Sequence, residues 1–193
     1  ISLDGGTSWK AFKNNMPPVS VRALAFQQRE NSLIIGTHGR GVFILDDLSP
    51  LQQMRKEIVD ETLAFIKMPP AVVKLGRSGR PFGGAGNFIG SNPTNSAQIA
   101  YYMKKRHTFG KMRMEIFDDK DNFLMELPPG KSGGLNIVRL PLRQPPPKAA
   151  PTRNRMALAG SISTPALREG TYRVKITKGK EEFNHQLQLD ADP

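Results

Sequence analysis

The sequence has no cysteine, few aromatic residues and no long apolar run. The absence of cysteine excludes a disulfide scaffold, a cysteine-ligated zinc site and thiol catalysis. No apolar segment approaches the roughly 20 residues that a transmembrane helix needs, so we predict no membrane span. Acidic residues are also scarce, because 17 Asp and Glu stand against 28 Lys and Arg, for a net charge of +11. This balance favours anionic partners or simple solubility, and it does not determine the fold.

Turn-forming residues are abundant instead. The chain of 193 residues contains 16 Pro and 18 Gly, while aromatic residues make up 7%. This composition favours short strands and tight turns over a helical bundle. Alternating or short apolar runs predict strands at 19–26, 33–38, 42–45, 62–66, 71–75, 98–104, 111–118, 123–127, 135–142, 156–162, 171–177 and 182–189. We therefore predict an all-β protein.

Residues 2–9 contain a polar turn followed by a large aromatic side chain. Asp4 can accept hydrogen bonds from backbone N–H groups of its own turn, and Gly6 tolerates a positive φ. Ser2, Asp4, Gly6 and Trp9 match the Asp-box pattern Ser-x-Asp-x-Gly-x-x-Trp and resemble that motif in sialidase-like, sortilin-like and xyloglucanase-like β-propellers. The resemblance implies a structural role, because the motif is a folding element in those families. We expect Trp9 to pack the strand that follows against its neighbour.

A second segment points to the same family. Residues 36–47, Gly-Thr-His-Gly-Arg-Gly-Val-Phe-Ile-Leu-Asp-Asp, resemble the closing blade of bacterial sortilin-like propellers. A propeller needs about four to eight blades of four strands each. The resemblance therefore implies that residues 1–48 form the C-terminal part of a propeller whose other blades lie upstream of Ile1.

The rest of the chain resembles a different module. Residues 169–180 are similar to the last hairpin of immunoglobulin-like sandwiches of the flagellar-hook-capping type, and residues 134–143 are similar to an earlier strand. Bacterial sortilin-like propeller proteins often end in this module. Residues 97–193 are therefore predicted to be an antiparallel immunoglobulin-like β-sandwich.

A connector is predicted between the two domains, at residues 49–96. Ser49, Pro50 and Gln52 have the order of a helix start, which predicts one short helix to about Val59. A Gly-rich loop follows at 76–96. Its phenylalanines leave three roles open: docking on the protein itself, flexibility, and contact with a ligand.

No catalytic arrangement is visible in the sequence. The three histidines lack metal-ligand spacing. Asp46 and Asp47 are adjacent on a strand and point to opposite faces, so they cannot by themselves form the carboxylate pair of a glycosidase. We predict no catalytic residue, metal ligand or cofactor in this chain. A glycoside hydrolase would need catalytic carboxylates upstream of residue 1.

His38 and Arg40 are the candidate ligand-facing residues. They lie in the Gly-rich turn between two predicted strands, and such loops are where propellers place binding groups. Arg40 carries a planar guanidinium suited to a carboxylate or phosphate. The alternative is an internal role, in which Arg40 pairs with Asp46 or Asp47.

The densest basic cluster follows the strand predicted at 98–104. With three aromatic residues interleaved, it is suited to nucleic acid or an acidic glycan, while a solvated hairpin tip is the alternative. No recognised nucleic-acid module surrounds it, which makes nucleic acid the less favoured partner. The basic residues are Lys104, Lys105, Arg106 and Lys111, and the aromatic residues are Tyr101, Tyr102 and Phe109.

Three functions are consistent with these features. The first, which the resemblance implies, is a non-catalytic C-terminal region of a secreted, periplasmic or cell-surface Asp-box propeller protein. Its partners would be the upstream blades and a protein or glycan ligand. The second is an accessory part of a sialidase- or xyloglucanase-like glycoside hydrolase, and the third is a basic nucleic-acid-binding module.

Overall fold

The computed structural model describes residues 1–9, 11, 16–29, 31–73, 96–145 and 164–191. These residues form eleven strands and two short helices, which confirms the predicted all-β class. The helices are α1 (Ser49–Gln52) and α2 (Lys56–Asp60). The strands are β1 (Val21–Gln27), β2 (Ser32–Thr37), β3 (Val42–Leu45), β4 (Leu63–Ile66), β5 (Ala71–Val73), β6 (Ser96–Met103), β7 (Met112–Phe117), β8 (Phe123–Leu127), β9 (Gly134–Pro141), β10 (Gly170–Lys178) and β11 (Glu181–Ala191).

The strands are arranged in three sheets. Sheet A has the order β1-β2-β3, sheet B the order β4-β6-β9, and sheet C the order β5-β11-β10-β7-β8. The pairs β1–β2, β2–β3, β4–β6, β7–β8, β7–β10 and β10–β11 are antiparallel, whereas β5 and β11 run parallel. The strand predicted at 156–162 lies outside the described residues, as does the Gly-rich loop predicted at 76–96 except for Ser96, the first residue of β6.

Backbone contacts divide the chain into two compact units. The first comprises Ile1–Met68, Ala100–Thr108 and Lys131–Asn136, and the second comprises Pro69–Ile99, Phe109–Gly130 and Ile137–Pro193. Two strands from the range predicted as a connector belong to the sheets: β4 pairs with β6 and β5 pairs with β11. Sheets B and C therefore include strands from both sides of residue 97.

The apolar faces of sheet C follow the period-two pattern of the sequence. Met114 pairs with Ile176, and Ile116 pairs with Val174, so all four side chains share one face. Each of them is fully buried. Charged residues alternate with these apolar residues along the strands. They therefore point to the opposite face of the sheet.

A smaller apolar cluster lies in the first unit. Met54, Ile66 and Ala100 are its buried members, and Tyr102 and Leu135 are among the partly buried residues packed on it. Strand β6 therefore has apolar residues on both faces of its C-terminal half, because Tyr101 is also buried there. The sequence of a strand that is buried on both faces is a nearly continuous apolar run.

The helix predicted at 49–59 is two helices, and Gln53 explains the interruption. The Gln53 amide nitrogen donates to the Lys67 carbonyl oxygen at 2.6 Å, and its amide oxygen accepts from the Lys67 N–H at 3.1 Å. The next residue, Met54, is buried, and Arg55 has an extended backbone. The side-chain amide of Gln53 thus makes the two backbone hydrogen bonds that a neighbouring strand would make just after β4. The helix ends at this residue. Within the described residues, no helix is long and apolar enough to cross a membrane.

Asn31 connects sheet A to α1. It lies in the β1–β2 turn with φ +52°, a conformation that asparagine tolerates better than most residues. Its side-chain amide exchanges two hydrogen bonds with the Gln52 amide, at 3.0 and 3.1 Å, and donates a third to the Ser49 hydroxyl at 2.9 Å. The Leu48 N–H also donates to the Asn31 carbonyl oxygen. These bonds fix the start of α1 against the turn.

Candidate functional sites

The side chains of Ser2, Asp4 and Ser8 form a closed hydrogen-bonded turn. The Asp4 carboxylate accepts from the Ser8 N–H at 2.9 Å, from the Ser8 hydroxyl at 2.5 Å and from the Ser2 hydroxyl at 2.8 Å. The Ser2 hydroxyl oxygen in turn accepts from the Gly6 N–H at 2.7 Å. The side chains of Ser2 and Asp4 thus satisfy the turn's own donors, which is the arrangement expected of a structural element.

These hydrogen bonds also change the acidity of Asp4. The bond from the Ser8 hydroxyl is the largest cause, followed by the Ser8 N–H and the Ser2 hydroxyl, and together they lower the pKa of Asp4 to about 2. Hydrogen bonds to a carboxylate stabilise its charged form, which explains the direction of the shift.

Trp9 differs from the expectation. Its ring is 74% exposed, and its indole N–H donates to the Gly6 carbonyl oxygen at 3.1 Å. The ring therefore folds back on its own turn and does not pack a strand. The hydrogen bonds of the turn hold its own backbone.

We predict that Asp4 titrates well below an ordinary aspartate. The chemical shift of the Ser8 amide, followed by NMR against pH, should change with a midpoint near 2 instead of the usual 3.8. Because the folded pKa is depressed, the turn contributes stability above pH 3.8 and loses it as the pH falls towards 2. Asp4→Asn should abolish the transition. A midpoint at 3.8 or higher would contradict the hydrogen-bonded turn.

His38 and Arg40 lie in the exposed turn between β2 and β3. The turn is closed by the Thr37 N–H and hydroxyl, which both donate to the Gly41 carbonyl oxygen, at 3.1 and 2.6 Å. Gly39 and Gly41 both have positive φ, at 74° and 77°, which is why glycine occupies these positions. Within the described part of the chain, Arg40 forms no ion pair with Asp46 or Asp47.

Asp47 has a different role from the one considered in the sequence. Its carboxylate accepts from the Ser49 N–H at 3.0 Å, just before α1. The internal pairing of Arg40 with Asp47 is therefore not the arrangement in this structure. Arg40 remains a candidate ligand-facing residue because its side chain is exposed at a sharp turn. The two glycines of that turn permit the bend.

The basic cluster is not the aromatic-interleaved surface that the sequence suggested. Tyr101 is fully buried, with its ring edge-on to Phe65 at 6.1 Å between centroids. Tyr102 is partly buried and packs on the apolar cluster of the first unit. Phe109 is 89% exposed. Tyr101 is therefore a core residue that offers no stacking surface to a ligand, and Tyr102 is partly covered by packing.

The four basic residues fall into two groups. Lys104, Lys105 and Arg106 belong to the first unit, and Lys111 belongs to the second, where its carbonyl oxygen accepts from the Gly179 N–H. Lys104 pairs with Asp60 at 3.2 Å between Nζ and Oδ1. Both partners are largely exposed, so this ion pair contributes little stability.

Sequence reasoning missed Lys131. The His107 N–H donates to the Lys131 carbonyl oxygen at 3.0 Å, which brings this residue beside the basic run although it lies 24 positions further along the chain. The sequence shows the run of positive charge at 104–106. It contains no pattern that indicates the contact between the two loops.

A cavity of about 580 Å³ lies in the second unit, between the β7–β8 turn and residues 165–172. Two of its polar side chains, Asp118 and Tyr172, form hydrogen bonds within the turns around it. The Asn122 side chain, then its N–H, donates to the Asp118 carboxylate and lowers the pKa of that group. The Tyr172 hydroxyl donates to the Arg168 carbonyl oxygen at 2.8 Å. These bonds of Asp118 and Tyr172 hold the backbone of the turns that border the cavity, and Asp119, Arg168 and Glu169 also line it.

The histidines do not assemble into a metal site. Within the described ranges, no group of three or more potential metal ligands lies close enough together to hold an ion. His38 is exposed, and burial lowers the pKa of His185 on β11.

No family model, curated protein or solved structure matches the chain.

Proposed function

We propose that this chain is the non-catalytic C-terminal region of a secreted or cell-envelope Asp-box propeller protein. Its first strands would belong to the last propeller blade, and the strands from β4 onward would form an immunoglobulin-like interaction module. The observation that carries this proposal is the exposure of apolar side chains on both faces of sheet A.

The register of sheet A defines its two faces. Leu24 lies opposite Ile35, and Ile35 lies opposite Phe43, so these side chains share one face. Ile34 lies opposite Ile44, and both are on the other face. A sheet at the surface of a protein usually has one apolar and one polar face. Sheet A is apolar on both.

Each face of sheet A exposes large apolar side chains. On the first face, Leu24 is 65% and Phe26 is 51% exposed. On the second face, Val42 is 64% and Ile44 is 62% exposed. A sheet with two apolar faces is suited to lie between two other sheets, as a propeller blade does between its neighbours.

The strand order of sheets B and C supports the immunoglobulin-like part. The order β11-β10-β7-β8 corresponds to G-F-C-C′ of variable-type immunoglobulin sheets, and β4-β6-β9 corresponds to A-B-E. Tyr172 adds a local feature. It lies near the start of the strand that corresponds to F, and its hydroxyl bonds to a carbonyl four residues upstream, as in the tyrosine corner of such sandwiches.

The propeller assignment is tested by asking whether other blades bury sheet A in the full-length natural protein. Leu24→Lys and Ile44→Lys place a charge on opposite faces, and each should lower the free energy of unfolding by about 2 kcal/mol or more if other blades bury these positions. Ile137→Lys is the matched control, because Ile137 is 48% exposed and lies outside sheet A. Chemical denaturation measures all three.

Two results would contradict the proposal. One is that both sheet A variants are as stable as the Ile137→Lys control. The other is that the sequence encoded before Ile1 contains no further Ser-x-Asp-x-Gly-x-x-Trp repeats.

A further inference from the structure

Two loops of the first unit lie side by side and bring basic residues together. Residues 104–107 follow β6 and residues 131–133 precede β9; we call them the basic loop pair. The His107 N–H donates to the Lys131 carbonyl oxygen at 3.0 Å. A Cβ atom added to Gly133 would lie 3.1 Å from the Arg106 nitrogen, so the two backbones are in close contact. Only glycine permits this approach without a shift.

A buried asparagine holds one of these loops in place. Asn136 is 7% exposed, and its side-chain oxygen accepts from the Ser132 N–H at 3.2 Å. Its amide nitrogen donates to the Ser132 and Gly134 carbonyl oxygens, at 2.8 and 3.1 Å. Three bonds from one buried side chain fix the backbone of the loop, so Lys131 is presented from a defined position.

The basic loop pair carries an uncompensated positive charge. Lys105, Arg106 and Lys131 are exposed, and neither 104–107 nor 131–133 contains an acidic residue. Lys104 pairs with Asp60, whereas Lys105, Arg106 and Lys131 form no ion pair with another described residue. Three cations on two adjacent loops therefore face solvent without an acidic partner among those residues.

The surroundings favour one class of anionic partner. A protein that binds single-stranded nucleic acid combines cations with exposed aromatic rings on which bases stack. Here Tyr101 is buried, Tyr102 is partly buried against the apolar cluster, and the exposed Phe109 belongs to the second unit, not to the unit that contains the basic loop pair. Asp60 pairs with Lys104, so the basic loop pair offers three further cations, Lys105, Arg106 and Lys131, which is fewer than the long basic stripe that a nucleic-acid duplex needs. A short run of sulfated or carboxylated sugars needs neither stacking nor a long stripe.

We propose that the basic loop pair binds an anionic polysaccharide. Arg106 donates a forked pair of hydrogen bonds to a sulfate or carboxylate group, and Lys105 and Lys131 contact neighbouring acidic groups as point charges. This site goes beyond the architectural role proposed above and does not depend on it, since it needs only the folded loops of this chain.

The experiment measures binding of heparin, as a sulfated probe, to the 193-residue chain by calorimetry at several salt concentrations. The double variant Lys105→Glu/Lys131→Glu should bind at least about tenfold more weakly, a loss of roughly 1.4 kcal/mol. The slope of log affinity against log salt should fall by about two, one for each lost cation. Lys67→Glu/Lys120→Glu is the matched control, because it changes the net charge equally at two other exposed lysines.

The control should lose less than about threefold in affinity, since neither Lys67 nor Lys120 belongs to the basic loop pair and charges outside a binding site are largely screened at physiological salt. Equal losses in the two double variants would overturn the proposal and assign the binding to net charge. Tighter binding of single-stranded or duplex DNA than of heparin at the same salt would overturn the choice of partner. Absence of heparin binding at 0.15 M salt would overturn the site itself. Melting temperatures of both variants establish that they remain folded.

Discussion

A fragment of residues 49–193 is expected to unfold cooperatively, whereas a fragment of residues 97–193 is expected to be largely unfolded. The shorter fragment lacks β4 and β5, which pair with β6 and β11. It also loses the side chains of Leu63, Ile66 and Val73, which are 3%, 0% and 6% exposed. Each buried side chain of this size contributes about 1.5–3 kcal/mol, so the loss is comparable with the total stability of about 5–15 kcal/mol of a typical domain.

Circular dichroism melts and the dispersion of amide resonances distinguish the two fragments. A point variant provides the control for chain length. Ile66→Asp in the fragment 49–193 keeps every strand but places a charge at a position with no exposed surface, so it should reproduce most of the loss. Equal stability of the two fragments would mean that β4 and β5 are dispensable for sheets B and C.

Tyr101→Ala is expected to lower the free energy of unfolding of the whole chain by about 3–5 kcal/mol. Tyr101 has no exposed surface, and its ring packs edge-on against Phe65. Removal of the ring leaves a cavity and ends this aromatic contact, and both effects are destabilising. Urea denaturation with a constant m-value measures the change.

Phe109→Ala is the matched control for the loss of an aromatic ring. Phe109 lies eight residues further along the same basic region but is 89% exposed, so its removal should change stability by no more than about 0.5 kcal/mol. If Tyr101→Ala were as mild as Phe109→Ala, the placement of Tyr101 in the core would be wrong. The pair thus tests which of the two aromatic rings is part of the core.

The strands were predictable because each of them is determined by a local pattern. The alternation of apolar residues around Met114 and Ile176 predicted both the strands and their buried faces, and both side chains are fully buried. The hydrogen-bonded turn at residues 2–8 was predictable for the same reason, since Ser2 and Ser8 both bond to Asp4 within seven residues. An interaction of short sequence separation leaves a signal in the sequence itself.

The pairing of distant segments left no such signal. The sequence by itself determined the all-β class, most of the strands and the positive charge at 104–106. Only the tertiary structure decided that Tyr101 is in the core, that β4 and β5 join sheets B and C, and that Lys131 lies beside His107. The physical reason is that burial and strand pairing depend on which segments exclude water together, and that is a property of the folded chain and not of any short stretch of it.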